Sequence, residues 1–170
     1  MAGNQEVIIV GGGVIGCSIG FHLTKAKLKV LILERGQLGA GASNAASGTL
    51  ATTDDRNSYA KLERASFRMF PDVVAELRDI SGVDAELVEC GGLDLLLTKE
   101  EAISAQESNI HFGQSTKNVQ KLNPKEVHEL EPELSTNLYG AIYRPKTSRV
   151  NNQRLTEGFA KSKGLLSFVR

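Results

Sequence analysis

Apolar positions fall into short runs separated by glycine-rich or polar stretches, and the spacing inside each run names its element. Residues 6–10, Glu6-Val7-Ile8-Ile9-Val10, are apolar after the first position, the pattern of a strand buried on both faces in a parallel sheet. Gly11-Gly12-Gly13-Val14-Ile15-Gly16 follows, and then Ile15, Ile19, Leu23 and Ala26 recur at spacings of three and four. That spacing predicts a helix to about residue 27. Residues 29–34 form a second apolar run ending in Glu34. Strand, glycine turn, helix, strand is a βαβ unit of about 30 residues.

The pattern then loosens. Residues 36–53 are rich in Gly, Ala, Ser and Thr with little bulk; composition alone allows a flexible linker, but a linker rarely follows directly on a nucleotide-binding βαβ unit. A long helix is expected over 59–81, with Leu62, Ala65, Met69, Val73, Leu77 and Ile80 on one stripe and Gly82 as its C-terminal cap. Pro71 inside it should kink it or start a new helix. Strands are expected over 86–89 and 93–98 around Gly91-Gly92, then a polar helix over 99–116. Asn123-Pro124-Lys125-Glu126 carries the marks of a helix start, with Asn as cap, Pro first and Glu third, and Pro132 ends that helix. A strand over 139–144 and a helix over 151–163, with Leu155 and Phe159 on one face, precede the beginning of a strand at 165–170. Helix then half-strand is the expected ending of a truncated domain. No internal repeat is visible.

Composition narrows the class. The 170 residues are 41% hydrophobic and 24% charged, enough for one globular domain, or one domain and part of another, and too apolar for disorder. Lys+Arg and Asp+Glu both total 20, so no net charge draws the chain to nucleic acid or an acidic membrane. Cys17 and Cys90 lie far apart and make no disulfide framework. The apolar N-terminal run is broken by glycines, falls short of the roughly 20 residues of a membrane span, and follows Gln5 and Glu6 rather than a basic segment. A soluble cytoplasmic protein is expected.

The chemistry lies in Gly11, Gly13 and Gly16, which spell G-x-G-x-x-G. The first glycine permits a tight turn, the second lets a pyrophosphate approach backbone, and the third lets helix and strand pack closely. The helix then aims its N-terminal N–H groups and dipole at the diphosphate. Glu34 stands about 20 residues on, where an acid grips a ribose hydroxyl and repels a 2′-phosphate. The fingerprint by itself leaves NAD and FAD open. No other catalytic constellation emerges. His22, His111 and His128 lack partners at ligand spacing, Cys17 and Cys90 read as packing residues, and Arg144, Arg149, Tyr139 and Tyr143 read as rim residues that could approach a substrate carboxylate. No catalytic residue is named.

Beyond the fingerprint, Gly39-Ala40-Gly41-Ala42-Ser43-Asn44-Ala45-Ala46-Ser47-Gly48-Thr49-Leu50 closely resembles the FAD-dependent amino-acid oxidase family of glycine oxidases, sarcosine oxidases and D-amino-acid oxidases and dehydrogenases. Phe70-Pro71, Gly82-Val83-Asp84, Gly92-Leu93-Asp94-Leu95-Leu96, Glu129-Leu130-Glu131-Pro132, Arg154-Leu155 and Gly164 recur in such enzymes in the same order. The resemblance covers essentially the whole chain and about half the length of the family. It implies an α/β fold: a Rossmann-like FAD-binding βαβ domain with the start of a mixed α+β substrate domain, truncated. The implied division is 1–85 for the FAD-binding domain, 86–145 for the beginning of the substrate domain, and 146–170 for an incomplete return to the first. The strands in the middle segment would seed an antiparallel sheet.

The resemblance also assigns residues. Gly11, Gly13, Val14, Ile15 and Gly16 would line the FAD pyrophosphate, and Glu34 and Arg35 would bracket the adenosine ribose. Ala42 and Ser43 would meet the diphosphate and ribityl side, and Ser47, Gly48 and Thr49 the flavin ring. It implies oxidation of the C–N bond of an amine or amino acid by hydride transfer to flavin. Against the family pattern, a closing apolar strand, the substrate-clamping arginine and a last glycine-rich flavin contact are missing. Asn152 stands where a proline usually precedes the helix. The chain alone is therefore expected to be aggregation-prone or to need a partner, a second chain or segment completing the fold. A non-catalytic or split-subunit piece and an NAD-binding dehydrogenase domain are the alternatives.

Overall fold

The computed structural model describes residues 5–51, 59–108, 119–162 and 166–169. The chain divides into two units, one made of residues 1–50, 66–88 and 149–170, the other of 51–65 and 89–148.

The first unit holds β1 (Val7–Val10), α1 (Val14–Lys25) and β2 (Val30–Leu33) as the apolar runs require. β1 and β2 pair in parallel, Val7 opposite Val30 and Val10 opposite Leu33. α2 (Ala42–Ala45) is a single turn, and β3 (Thr49–Leu50) is a two-residue strand. α3 (Ala60–Ser81) runs unbroken through Pro71, so the proline starts no new helix. The chain crosses between the units within this helix. Gly82 follows it with φ +71°, and its N–H donates to the Arg78 carbonyl at 2.9 Å, the expected glycine cap.

β4 (Val88–Glu89), β5 (Leu93–Leu96), α4 (Lys99–Ser108), β6 (Gln120–Leu122), α5 (Pro124–Leu130), β7 (Gly140–Tyr143) and β8 (Ser148–Arg149) follow. α6 (Asn152–Lys161) and β9 (Leu166–Val169) complete the order. The second half of the expected polar helix, with His111, lies outside the described residues, as do residues 52–53 and Gly164. In the second unit β5 and β6 flank β7, both antiparallel to it. β6, spelled Gln-Lys-Leu, had no apolar signature. α5 begins with a full capping box, the Asn123 side chain accepting from Lys125 and Glu126 N–H and Glu126 accepting from Asn123 N–H at 2.7 Å. Leu122, Val127 and Ala141 form this unit's buried centre, with Leu93, Leu95, Leu134, Leu138 and Tyr143 packed around it. Tyr139 precedes β7 rather than sitting in it, and its N–H donates to Leu96 O at 2.7 Å.

The first unit's sheet runs β1-β2-β9, all parallel, with Leu31 opposite Leu166. β2 is central: Val30 and Ile32 are fully buried. β1 is at the edge and does not have the two buried faces its composition suggests. Val7 and Ile9 pack on the core, while Ile8 and Val10 are 60% and 84% exposed. The faces of the helices also differ from the periodicity. On α1, Cys17, Gly20 and Phe21 are buried, and Ile15 and Ile19 are exposed. On α3, Val74 and Leu77 are buried, whereas Leu62, Met69 and Ile80 are exposed. α1 is apolar on more than one face, so spacing alone cannot say which face meets the sheet. Phe21 and Phe159 join α1 to α6 at 5.5 Å between ring centroids.

Candidate functional site

The glycine turn is built from three different constraints. Gly11 has φ +107°, open only to glycine at low cost, and its N–H donates to Leu33 O at 2.8 Å. Gly13 is the N-cap of α1 with φ −78° and ψ 177°, a conformation any residue adopts. Among the described residues a Cβ there would meet only the Ser43 hydroxyl, at 3.0 Å. Gly16 packs so closely that a Cβ would collide with the Gly11 carbonyl oxygen. Val14 and Ile15 open α1, whose first turn carries no acidic side chain, so its N–H groups and dipole face an anion without competition from a carboxylate.

Glu34, just past the end of β2, reaches back to this turn. One carboxylate oxygen accepts from Gly12 N–H at 2.7 Å and the other from Gly36 N–H at 2.8 Å. These two bonds, Gly12's first, hold its pKa below the ordinary carboxylate value despite partial desolvation, with the Arg35 charge assisting. Each oxygen keeps a second lone pair for a further donor. Arg35 is exposed beside it. Cys17 is buried with its thiol near the Gly12 carbonyl at 3.6 Å. Burial first, and the Glu34 charge second, push its pKa to about 11, so it is an uncharged packing residue and not a thiolate.

The low folded-state pKa of Glu34 sets a pH dependence. Its contribution to stability is present above the unfolded value and is lost as pH falls through the lowered folded value. Glu34→Gln is expected to flatten the acid limb of melting temperature against pH, without removing it. Glu101 adds to the same limb, because the Leu97 and Thr98 N–H groups also lower its pKa. Superimposable wild-type and variant limbs would show that the Glu34 brace is not formed.

The small-residue segment is not a linker. Gly39 N–H donates to Gly12 O at 2.9 Å, and Ser43 Oγ accepts from Val14 N–H at 2.9 Å, so α2 is tied to the glycine turn. Ala42 is exposed at the start of α2. Ser47 Oγ donates to Thr49 Oγ1 at 3.1 Å. Gly48, buried with φ +76°, accepts from Val150 N–H at 3.0 Å through its carbonyl. Ser47 lines an open cavity of about 530 Å³ with Asn44, Glu86, Arg149, Asn152 and Gln153. Arg149 thus shares a cavity with Ser47, while Arg144 is ion-paired with Asp94 at 2.7 Å. Gly12, Gly39, Asn44, Asn152 and Gln153 were missed as site residues. The glycine run around Gly12 and Gly39 was a usable signal. The Asn44 and Gln153 side chains, which meet across the length of the chain, had none. Among the described residues no three His, Cys, Asp or Glu side chains gather as a metal site, and no helix is long and apolar enough to cross a membrane.

A parallel βαβ with a glycine turn opening a helix, and an acid at the second strand's end braced on that turn, defines a Rossmann-type dinucleotide-binding unit. Residues 6–163 match the family model described as FAD dependent oxidoreductase, and the chain belongs to that family. Glycine oxidase of Geobacillus kaustophilus is 36% identical over 164 residues, covering 94% of this chain and 44% of that protein. Glycine oxidase of Bacillus licheniformis is 31% identical, covering 98% of this chain and 44% of that protein. The crystal structure of the Geobacillus kaustophilus enzyme superposes with a TM-score of 0.89 over 95% of this chain and 45% of its own. The chain spans under half the length of these relatives.

FAD, the family's cofactor, fits the residues present. Among the described residues, the place where a Cβ of Gly13 would sit is bounded only by Ser43 Oγ, and this cradle opens onto the α1 N-terminus.

Proposed function

We propose that this chain is the FAD-holding part of an oxidoreductase acting on the C–N bond of an amine or amino acid of the glycine and D-amino-acid class. The observation that carries the reading is Gly13: its backbone needs no glycine, so the missing side chain is explained by the room a diphosphate requires. In this reading Gly11, Gly13, Val14, Ile15 and Gly16 hold the diphosphate by backbone, and Glu34 takes a ribose hydroxyl on its remaining lone pairs with Arg35 alongside. Ala42 and Ser43 flank the diphosphate and ribityl chain, and Ser47, Gly48 and Thr49 offer a low-relief backbone surface to the flavin. FAD supplies the hydride acceptor when bound. The chain's own residues bind and orient it, and none is assigned a proton-transfer step.

The domain assignment follows the same reading: the unit containing β1, α1 and β2 is the FAD-binding domain, and the unit containing β5–β7 is the start of the substrate domain. A small-molecule amine or amino acid is the substrate class. The exposed Ile8, Val10, Ile15 and Ile19 are too apolar a set for a resting surface, which favours a further segment or second subunit that completes the fold. A cytoplasmic location is in keeping with two cysteines that form no disulfide.

The test is direct. The purified chain is mixed with FAD, excess is removed by gel filtration, and the visible spectrum is recorded. A retained flavin band with resolved shoulders is expected. A folded, soluble chain that retains no FAD would overturn the reading for this chain on its own.

A further inference from the structure

The segment proposed to hold FAD cannot hold its own shape. α2 is four residues long, has no side-chain cap and buries no residue, and a single isolated turn is far below the length at which a helix sustains itself. Its shape comes from a distant part of the chain. The Asn152 side-chain amide donates to the Ala46 carbonyl, and the Gln153 amide donates to the Asn44 side-chain oxygen. Val150 N–H donates to Gly48 O at 3.0 Å, and a Cβ on Gly39 would touch the Thr156 methyl at 3.2 Å. Thr156 is itself buried and donates to Asn152 O at 2.8 Å. Val150, just after β8, and Asn152, Gln153 and Thr156 of α6 thus form a rail along one side of residues 39–48. The glycine turn ties the other side through Gly12 and Val14.

We infer that Asn152 and Gln153 are positioning residues that latch the cofactor-binding segment in its binding shape before the cofactor arrives. The consequence for FAD rests on the function proposed above; the latch itself does not. Segments ordered in advance bind more tightly because the ordering cost is not charged to the binding step. Removing the latch leaves every residue that touches FAD in that reading intact, and loosens the frame that presents Ser43 and residues 47–49.

The chain allows a test that spares the helix. Asn152 is the first residue of α6, and Asn151, its cap, has φ −81° and ψ 107°. Proline is favoured at that first position, where the N–H has no intrahelical acceptor, and an extended residue before it is what proline requires. Asn152→Pro therefore keeps α6 and removes the side-chain amide. Asn152→Asp keeps the size, removes the donor and sets a carboxylate oxygen against the Ala46 carbonyl. Gln153→Leu removes the second arm.

Hydrogen exchange read by mass spectrometry is measured for peptides spanning residues 39–50 and, as an internal control, β1 and β2, in the wild-type chain and in Asn152→Pro, Asn152→Asp and Asn152→Pro/Gln153→Leu. FAD affinity and the visible circular dichroism of bound flavin are measured on the same proteins. Faster exchange is expected at the 39–50 peptides only, with melting temperature held in Asn152→Pro. FAD affinity is expected to weaken about ten-fold in the double variant, as two hydrogen bonds would predict, with a changed flavin dichroism. Wild-type exchange in the 39–50 peptides of the double variant would overturn the latch. A wild-type chain that binds no FAD, but whose 39–50 exchange still rises in the variants, would leave the latch standing and overturn the cofactor reading instead.

Discussion

Gly13→Val is expected to abolish FAD retention while the chain still folds. The backbone at Gly13 lies at φ −78° and ψ 177°, where valine is at ease, and among the described residues a Cβ meets only the Ser43 hydroxyl oxygen, at 3.0 Å. That hydroxyl can turn aside by a few tenths of an ångström, loosening its bond from Val14 N–H. Valine is a poor N-cap, so stability falls by about 1 kcal/mol. The branched side chain meanwhile fills the space above the α1 N-terminus, and FAD affinity is expected to fall at least about 100-fold, the loss of close backbone contact with a diphosphate. Gly16→Val is the counterpart. There the Cβ strikes the Gly11 carbonyl oxygen and lies 3.3 Å from Ile9 Cγ2, and neither backbone nor strand can yield, so the chain is expected to misfold outright. Equilibrium denaturation and FAD titration of the two variants separate the roles. Wild-type FAD affinity in Gly13→Val would place the diphosphate elsewhere.

Phe21→Ala is expected to cost about 3–5 kcal/mol, as for a large aromatic removed from a packed core. Phe21 is 1% exposed and stacks at a tilt on Phe159, joining α1 to α6. Lys25 Nζ lies 5.3 Å over the same ring and is paired with Glu76 at 2.7 Å. Natural domains have about 5–15 kcal/mol in hand, so this single truncation leaves the first unit marginal. Ile15→Ala on the same helix is expected to stay within about 0.5 kcal/mol, because Ile15 is 73% exposed. A denaturant midpoint for each variant checks the pair. Equal losses would mean that Ile15 is covered in solution, as it would be by self-association.

The contrast between Phe21 and Ile15 marks what the residue pattern could and could not say. The β1–turn–α1–β2 path was legible because glycine spacing, strand length and the acid at residue 34 all answer to local geometry. So was the start of α5, where Asn123, Pro124 and Glu126 act within one turn. The buried face of α1 was not legible, since isoleucines on one side and Phe21 on the other satisfy the same helical period. β1 reads as fully buried from composition, yet burial of Ile8 and Val10 depends on a neighbour and not on the strand itself. β6 was hidden because a three-residue strand of Gln, Lys and Leu forms only by pairing with β7. The long helix around Pro71 was legible, but whether the proline starts a new helix was not, because a periodic pattern cannot tell a tolerated proline from a break. Within the candidate site, the fingerprint and Glu34 could be read directly. The hold of Asn152 and Gln153 on the α2 segment could not, because nothing near either end of that contact announces the other.

The place of β9 beside β2 has a meaning for the chain's history as well as its shape. A ribosome delivers β1, α1 and β2 first, but Leu31 and Leu33 meet Leu166 and Val169 only after the whole second unit has emerged. The second unit has its β5–β7–β6 pairing and capped α5 within one continuous stretch, and can settle while the earlier strands wait. Local pairings close quickly and long-range parallel ones slowly. The parallel sheet thus gains β9 only after the strands of the second unit have been made, and until then the edge of β2 is exposed to other nascent chains.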